Sequence, residues 1–344
     1  MIRIARVLVA LAVAGCTVGA AAPAGSGYAE HARLPALLET LRDDYGFDAT
    51  DLAVVRRTLA DAERLPELIR QERNAPERTR TWSEYRGLHV TDSMVARGVA
   101  FMRDHAGTLA RAEAEYGVPP ELITAILGVE TRYGGFVGTT RVLDALATQG
   151  FDHPTRSRFF LSELAAFFAL TRETGMDPTE PVGSYAGAMG WAQFMPSNYR
   201  RLAVDFDGDG DTDLWSAADA IGSVARYLVA YDPDTAWRRG EPMVLAPREF
   251  RVRADATDFN TRSPNSSIGA LAALGAKPTA SVADTTPAGL LALQLDAGRA
   301  FRIALTNFYA VMRYNPRVYY AMAVGELAEG ISRATDHAAG RFTP

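Results

Sequence analysis

The sequence has 344 residues but contains one cysteine, Cys16, and one lysine, Lys277. A single cysteine excludes a disulfide within the chain and leaves no cysteine pair for a zinc site. The five histidines show no HxxxH spacing, no GxSxG motif occurs, and no glycine-rich phosphate loop precedes a predicted helix. The sequence therefore lacks the patterns typical of zinc hydrolases, serine hydrolases and nucleotide-binding proteins.

Acidic residues outnumber basic ones by 41 to 36, and nearly all of the basic ones are arginine. The net charge is −5 at pH 7, and the isoelectric point is near 5.7. This balance does not favour a nucleic-acid partner, which would require an excess of basic side chains. Hydrophobic residues make up 48% of the chain and charged residues 22%, so the protein is globular and long enough to bury a substantial core.

The N-terminus has the pattern of an export signal. Arg3 and Arg6 precede the apolar run VLVALAVAG, which is too short to span a membrane and leads directly to Cys16. The tetrapeptide VAGC is similar to a bacterial lipobox, in which the cysteine is lipidated and becomes the mature N-terminus. The alternative is an ordinary secretory signal that is cut after Ala22 or Ala24. Both alternatives place the protein outside the cytoplasm.

Helical periodicity dominates the rest of the chain and predicts a mainly α (α+β) protein. Apolar spacing predicts helix from Leu34 to about Gln71, interrupted near Gly46 and capped again by Asp48 or Thr50. The other predicted helices cover residues 92–115, the surroundings of Glu130, residues 157–175 and residues 318–331. Alternating apolar positions bounded by Gly and Pro predict a few strands within residues 232–305.

One carboxylate, Glu130, stands among apolar residues in the stretch ILGVETRYGG. We expect its helix to start at the prolines of residues 119–120 and to stop at the glycines of residues 134–135. At about 100° per residue, Glu130 points toward the apolar face of this helix. Burial and the negative end of the helix dipole would both raise its pKa, which suits a proton donor. The alternative is a buried ion pair with Arg132 or a more distant arginine.

The acidic stretch DFDGDGDTDLWSAAD, residues 205–219, has the spacing of an EF-hand calcium loop. Gly210 occupies the sixth position, where such a loop turns sharply. Position twelve is Ser216 instead of the usual glutamate, so the closing carboxylate is expected three residues later. The predicted ligands are the side chains of Asp205, Asp207, Asp209 and Asp219 and the backbone carbonyl of Asp211. We therefore predict a structural calcium ion, with an empty solvated acidic turn as the alternative.

Two aromatic stretches suit a carbohydrate groove. GSYAGAMGWAQFMPSNY, residues 183–199, interleaves small residues with aromatic ones, and its Ser184 and Gln193 can hydrogen-bond hydroxyl or amide groups. NFYAVMRYNPRVYYAMA, residues 307–323, adds several polar-tipped tyrosines. The alternatives are a tight packing crossover for the first stretch and core tyrosines for the second.

Four motifs in this order, GVETRYG, GAMGWAQFMPSNY, the DxDGDGDxDLW loop and RYNPRVYYAMAV, resemble the membrane-bound lytic murein transglycosylase B family. The resemblance spans roughly Leu34 to Ile331 and follows a lipobox. It implies a lysozyme-like, mainly helical core with a helical N-terminal domain and a small β-containing insertion. It also implies action on the glycan strands of peptidoglycan.

The same resemblance implies roles for particular residues. It makes Glu130 the catalytic acid/base. The implied residues of the groove around the scissile sugar are Ser184, Gln193, Tyr314, Asn315 and Tyr320. Tyr85, in WSEYR, and Arg156, in PTRSRFF, are implied substrate contacts in less distinctive contexts. The paired arginines usual in the family appear here as Thr155 and Arg156.

The motifs and the changes in composition divide the chain into six predicted segments. They are a lipoprotein signal peptide (1–16), a flexible tether (17–33), a helical domain (34–115), a lysozyme-like catalytic core with the EF-hand-like loop (116–231), a small β-containing domain (232–305), and the rest of the core with a tail (306–344). We expect a monomer in the periplasm, attached through lipid on Cys16 to the membrane, with the outer membrane favoured.

The expected reaction is cleavage of the β-1,4 bond between N-acetylmuramic acid and N-acetylglucosamine, with a 1,6-anhydro end as product. Most glycosidases add a second carboxylate within about 5–9.5 Å of the acid, and the motifs offer no obvious one. One alternative is a hydrolytic muramidase that uses Asp152 or Glu163 as the second acid. Another is a non-catalytic, calcium-dependent cell-wall binding protein.

The lipobox leads to a direct prediction. Cys16→Ser removes the thiol that would carry the lipid, so we expect the variant to move from the membrane fraction to the soluble fraction. Fractionation of cells, followed by mass determination of the mature N-terminus, measures this. A soluble wild type whose chain begins near Ala24 would instead identify an ordinary secretory signal.

Overall fold

The computed structural model describes residues 27–73, 79–253 and 255–338, and the predicted signal peptide and most of the tether lie outside these ranges. Helices account for most of the described structure. Up to Glu130 and its neighbours they are α1 (Leu34–Tyr45), α2 (Ala49–Ala60), α3 (Pro66–Arg73), α4 (Trp82–His89), α5 (Asp92–Asp104), α6 (Ala106–Tyr116) and α7 (Pro120–Thr131). The later helices are α8 (Val142–Asp152), α9 (Ser157–Thr174), α10 (Pro196–Leu202), α11 (Ala217–Ala230), α12 (Ile268–Ala273), α13 (Thr306–Tyr314) and α14 (Val318–Ala338).

Local capping sets the first helix boundaries. Gly46 ends α1 with a left-handed φ of 67°, and Asp48 begins α2 by accepting a hydrogen bond from the backbone N–H of Asp51. The predicted interruption near Gly46 is therefore confirmed, with Asp48 and not Thr50 as the N-cap.

The helix predicted over residues 92–115 is wrong as a single element. His105 has non-helical dihedral angles and separates α5 from α6. Its ring lies 4.4 Å from the ring of Phe101, measured between centroids. Packing within the folded protein thus divides a stretch whose apolar periodicity is continuous.

The main core is built around α7, whose residues from Leu122 to Gly128 are all buried. Helix α14 packs along α7 and α5, while α8 and α9 pack against each other. Among the described residues, no helix is both long enough and apolar enough to cross a membrane. Helix α14 continues to Ala338, seven residues beyond its predicted end at Ile331.

Strands occur where the sequence predicted them and also as a short pair beside the core. The strands are β1 (Thr140–Arg141), β2 (Val182–Gly183), β3 (Val244–Leu245), β4 (Pro247–Phe250), β5 (Ser266–Ser267), β6 (Ala276–Pro278), β7 (Pro287–Gln294) and β8 (Arg299–Ala304). Strands β3, β8, β7 and β5 form one antiparallel sheet in this order, and Leu290 pairs with Ile303 at its centre. This β region has a small hydrophobic core of its own, which includes Leu271. The boundaries of the six segments stay a prediction.

The last residues of the predicted tether contact the core. Tyr28 is 0% exposed, and its hydroxyl donates to Asp152 Oδ2 (2.9 Å) and lies 3.2 Å from Thr148 Oγ1. The guanidinium of Arg33 donates to the backbone oxygen of Phe151 at 2.8 Å. Because burial of an aromatic ring with a satisfied hydroxyl is favourable, the chain is fixed to α8 from Tyr28 onward.

Candidate active site

Glu130 is half-buried in the last turn of α7. The helix ends at Thr131, before the glycines of residues 134–135 where its end was predicted. It ends there because Arg132 and Tyr133 have left-handed φ values of 52° and 61°. Their N–H groups donate back to the carbonyls of Gly128 and Leu127, so the last carbonyls of the helix are satisfied.

The turn after Glu130 is conformationally costly. Two non-glycine residues in left-handed geometry cost about 1–2 kcal/mol each, and Gly134 continues the turn with a φ of 75°. Contacts from other elements hold it. The Tyr133 hydroxyl donates to the Met94 carbonyl (2.8 Å), and Thr131 Oγ1 accepts the Gly134 N–H (3.0 Å). Backbone strain of this kind persists where surrounding packing imposes it, often at functional sites.

A tyrosine from α14 meets Glu130. The Tyr320 hydroxyl donates to Glu130 Oε1 at 2.6 Å, and Tyr320 is 2% exposed. The ring of Tyr314 stacks on that of Tyr320, with centroids 6.4 Å apart, and its hydroxyl donates to the Ala192 carbonyl. Burial and the negative charge of Glu130 raise the pKa of both tyrosines well above its ordinary value. Both hydroxyls therefore stay protonated at neutral pH and act as donors.

The glycine-rich stretch passes close to this pair of tyrosines. A Cβ on Gly190 would lie 2.5 Å from Leu214, so the tight packing given as the alternative for this stretch is present. The stretch also orders its polar side chains. Ser184 Oγ accepts the Ala188 N–H (3.0 Å), and Gln193 Nε2 donates to the Gly190 carbonyl (2.8 Å). Gln193 has a left-handed φ of 50°, so its position depends on this turn.

The remaining predicted groove residues lie on three different elements. Tyr85 is buried on α4, close enough to Tyr320 to contribute to raising its pKa. Asn315 follows α13 directly, one residue after Tyr314. Arg156 lies at the N-terminus of α9, with its guanidinium over the ring of Phe160 at 4.8 Å from the centroid. The contacts above join Glu130, Tyr320 and Tyr314, while Arg156 belongs to the α9 end.

Sequence reasoning missed the residues that hold the Glu130 turn. Thr131 Oγ1 lies 3.2 Å from the Trp191 carbonyl, as a donor, and also binds the Gly134 N–H. A Cβ on Gly134 would lie 2.3 Å from the Trp191 ring, and one on Gly128 would lie 2.7 Å from the Tyr133 ring. The glycines of GVETRYG were the available signal, since glycine often marks close approach.

The two carboxylates proposed as a second acid hold other parts of the fold. Asp152 accepts the Tyr28 hydroxyl and lies 3.7 Å from the Arg64 guanidinium. Glu163 is buried and accepts both the N–H and the hydroxyl of Ser197, at 3.0 and 2.8 Å. Burial raises the pKa of Glu163 above its ordinary value. These contacts give both residues structural roles and do not favour the muramidase alternative.

The acidic loop has the donors that a hard cation requires. Carboxylate oxygens of Asp205, Asp207 and Asp209 lie within 4.8 Å of one another, and all three residues are exposed. Gly210 turns the chain with a φ of 99°, as its position in the loop predicts. Oxygen-only donors at such separations fit calcium.

Asp219 closes this loop from α11. It is 1% exposed, and its two oxygens accept the N–H groups of Phe206 (2.6 Å) and Asp213 (2.7 Å). Burial raises the pKa of this carboxyl above its ordinary value, while the two hydrogen bonds act in the opposite direction. Asp211 donates its N–H to Asp209 Oδ1 at 2.9 Å. The loop is thus held at both ends by protein contacts, and the roles of Asp211 and Asp219 as ligands stay predictions.

Comparison with known proteins agrees with this geometry. The family model described as "Transglycosylase SLT domain" matches residues 35–329. The membrane-bound lytic murein transglycosylase B of Escherichia coli (strain K12) is 37% identical over 319 residues, which cover 90% of this chain and 85% of that protein. The catenated lytic transglycosylase SltB1 of Pseudomonas aeruginosa has a TM-score of 0.82 and 40% identity, over 90% of this chain and 99% of that one.

Two further solved structures contain ligands. The Escherichia coli lytic transglycosylase Slt35 in complex with calcium has a TM-score of 0.78 and 37% identity, over 90% of this chain and 96% of that one. SltB3 of Pseudomonas aeruginosa in complex with NAG-NAM-pentapeptide has a TM-score of 0.71 and 31% identity, over 87% of this chain and 78% of that one.

The chain therefore belongs to the transglycosylase SLT domain family. Its fold is mainly helical, with a lysozyme-like core and a small β region, as the sequence predicted. The resemblance found in the four motifs is confirmed over nearly the whole described chain.

The described geometry of the turn after Glu130 can be tested by measuring the stability of glycine variants. Gly134→Ala places a methyl group against the Trp191 ring at a left-handed φ, so we expect it to destabilise the fold by about 2–4 kcal/mol. Gly87→Ala is the matched control, because a Cβ at Gly87 meets nothing within 4 Å inside α4, and a gain of up to about 1 kcal/mol is expected. Urea unfolding measures both, and equal stability of the two variants would contradict the described turn.

Proposed function

We propose that this protein is a lytic transglycosylase that cleaves the β-1,4 bond between N-acetylmuramic acid and N-acetylglucosamine in peptidoglycan. The observation that carries this proposal is the environment of Glu130. A half-buried carboxyl group at a helix C-terminus contacts the hydroxyl of a buried tyrosine, inside a family whose relatives are lytic transglycosylases. Glu130 is the acid/base of the reaction.

In the first step Glu130 is protonated and gives its proton to the glycosidic oxygen as the bond to C1 of N-acetylmuramic acid breaks. The leaving sugar then departs as a neutral alcohol. The carbonyl oxygen of the N-acetyl group attacks C1 and carries the developing positive charge, as in substrate-assisted glycosidases. No protein nucleophile is needed, which agrees with the structural roles of Asp152 and Glu163.

In the second step the Glu130 carboxylate takes the proton from the C6 hydroxyl of the same N-acetylmuramic acid. The C6 oxygen attacks C1 and displaces the N-acetyl oxygen, so a 1,6-anhydro ring forms and Glu130 is protonated again. The Tyr320 hydroxyl stabilises the carboxylate between the two steps because hydrogen bonds to an ionised acceptor are strong. Water is not consumed.

The residues around Glu130 form the groove in this proposal. Tyr314 and Tyr320 border the scissile sugar, Ser184 and Gln193 hydrogen-bond its polar groups, and the remaining contacts come from Asn315, Tyr85 and Arg156. The stacked rings of Tyr314 and Tyr320 and the ordered Ser184 and Gln193 turns support these assignments. Aromatic side chains with polar tips suit sugar rings.

The proposed place of action is the periplasm. A relative is a membrane-bound lytic murein transglycosylase, and Cys16 would attach the protein to the membrane through lipid, with the outer membrane favoured. Cys16 lies outside the described residues. We propose that the protein acts as a monomer on glycan strands.

Calcium is the proposed structural cofactor. The converging oxygens of Asp205, Asp207 and Asp209 and the calcium complex of Slt35 support this assignment. The Asp211 carbonyl and the Asp219 carboxylate would complete the set of ligands. A bound ion would neutralise the exposed acidic cluster and brace the entry to α11.

Removing the Glu130 carboxyl group tests the chemistry. Glu130→Gln keeps the shape and the groove but cannot transfer a proton, so kcat should fall about 10²–10⁴-fold while glycan binding persists. Glu121→Gln is the matched control, because Glu121 stands at the other end of α7. Mass spectrometry of digested peptidoglycan should show wild-type products with anhydro ends, lighter by one water than hydrolytic products.

Three outcomes would contradict this proposal. Reducing ends as the main product would identify a hydrolytic muramidase. Undiminished cleavage by Glu130→Gln would remove Glu130 from its role, and the absence of any cleavage by the wild type would favour a binding protein.

Calcium is tested by its effect on unfolding. An ion that binds the folded state alone stabilises it, by about 1.4 kcal/mol when its concentration is ten times Kd. The melting temperature should rise with millimolar calcium and fall with chelator, and Asp209→Ala should abolish the response. Asp234→Ala, an exposed aspartate outside the loop, is the control. A calcium response that survives in Asp209→Ala would contradict the proposed site.

A further inference from the structure

A second concave surface lies between the β region and the start of α14. It has a volume of about 430 Å³, and three arginines line it: Arg80, Arg262 and Arg317. Asn260 and Tyr319 complete its polar lining. None of the groove residues named above lines it. We call it the arginine cleft.

The arginine cleft is electrostatically unusual in an acidic protein. In the described part of the chain, none of its three guanidinium groups lies within 4.0 Å of a carboxylate. Several other arginines of this protein are paired, as Arg253 is with Asp255 at 2.8 Å and Arg313 is with Asp232 at 2.7 Å. Like charges gathered without partners repel one another, and an anionic ligand would remove this repulsion.

The cleft is also held in place by a specific backbone arrangement. Asn260 has a left-handed φ of 58°. Its amide donates to the Ala292 carbonyl (3.1 Å) and accepts the Ala292 N–H (2.9 Å), while its own N–H donates to the Leu290 carbonyl (2.9 Å). These bonds fasten the chain to β7 two residues before Arg262. The position of Arg262 therefore follows from the sheet.

An aromatic cleft of about 400 Å³ adjoins the arginine cleft and shares Asn260 and Tyr319 with it. Phe250 and Phe301 stack there with ring centroids 3.9 Å apart, and Phe259 lies beside them. The combined surface thus offers positive charge next to apolar area. This combination suits a peptide that carries several carboxylates and small apolar side chains.

The arginine cleft begins within one helical turn of the catalytic centre. Tyr319 lines the cleft, and the next residue, Tyr320, contacts Glu130. Arg317 precedes Tyr320 by three residues, which is about 4.5 Å along a helix axis. An extended pentapeptide spans about 16–18 Å. A peptide attached to a sugar at Glu130 is therefore long enough to reach Arg317, and Arg80 and Arg262 line the same cleft.

We propose that the arginine cleft binds the carboxylates of the stem peptide on N-acetylmuramic acid. The inference rests on the proposed function, because it requires that this sugar be bound beside Glu130. Arg262 and Arg317 would bind the carboxylates directly, and the aromatic cleft would take the apolar side chains of the peptide. The protein would then prefer glycan that still carries its peptides.

The test compares two substrates that differ in the peptide alone: glycan fragments with intact stem peptides, and the same fragments stripped by an amidase. The double variant R262Q/R317Q should raise KM about five- to tenfold on the peptide-bearing fragments, since exposed ion pairs are individually weak. Its kcat, and its KM on stripped fragments, should not change. R253Q is the matched control, because it removes an exposed arginine of the β region that lies outside the lining of both clefts.

Two further measurements separate charge from shape. Stem peptides whose carboxyl groups have been converted to amides should be bound equally by the wild type and the double variant. Added salt should reduce the difference between the two proteins on peptide-bearing fragments, because it screens exposed charges.

Several results would overturn the inference and leave the proposed function intact. One is cleavage of both substrates by the double variant with wild-type KM. Another is an equal rise of KM on both substrates. The third is that the double substitution affects only binding to phosphatidylglycerol vesicles, which it abolishes. Failure of the wild type to cleave either substrate would instead contradict the proposed function itself.

Discussion

The hydrogen bond between Tyr320 and Glu130 joins two elements that the rest of the fold keeps in register. Glu130 belongs to the strained end of α7, and Tyr320 to the first turn of α14. A side-chain contact of 2.6 Å tolerates little relative movement, so both helices must be positioned accurately. The packing of α14 along α7 and α5 provides this accuracy.

The strain after Glu130 is balanced by contacts with two other parts of the fold. Tyr133 reaches α5 at Met94, and Thr131 reaches the loop at Trp191. Each contact is ordinary alone, but together they specify a backbone that isolated α7 would not adopt. The position of the Glu130 carboxyl group thus depends on packing between several elements of the fold.

The sequence predicted those features that depend on local pattern. Helices with clear caps, such as α2 after Asp48, and the calcium-type loop with its turn at Gly210 follow from spacing along the chain. Glu130 also stood out, because an acid among apolar residues and glycines is locally conspicuous. These predictions needed no knowledge of distant contacts.

Features that depend on contacts between distant segments could not be predicted in this way. The separation of α5 from α6 at His105, the early end of α7 and the burial of Tyr28 each result from packing against other elements. The arginine cleft is a further example, since Arg80, Arg262 and Arg317 are far apart in sequence. Helix propensity and apolar periodicity carry no information about contacts between segments that are distant in sequence.

The docking of Tyr28 on α8 has a geometric consequence for the proposed lipid anchor at Cys16. Eleven residues lie between the two positions, and the chain that joins them extends at most about 40 Å. The folded domain would then remain within about that distance of the membrane surface. Glycan strands that lie farther from the membrane than this distance would be out of reach, whatever their chemical structure. The length of chain between the anchor and the buried Tyr28 would therefore determine which layer of the cell wall the enzyme can cleave.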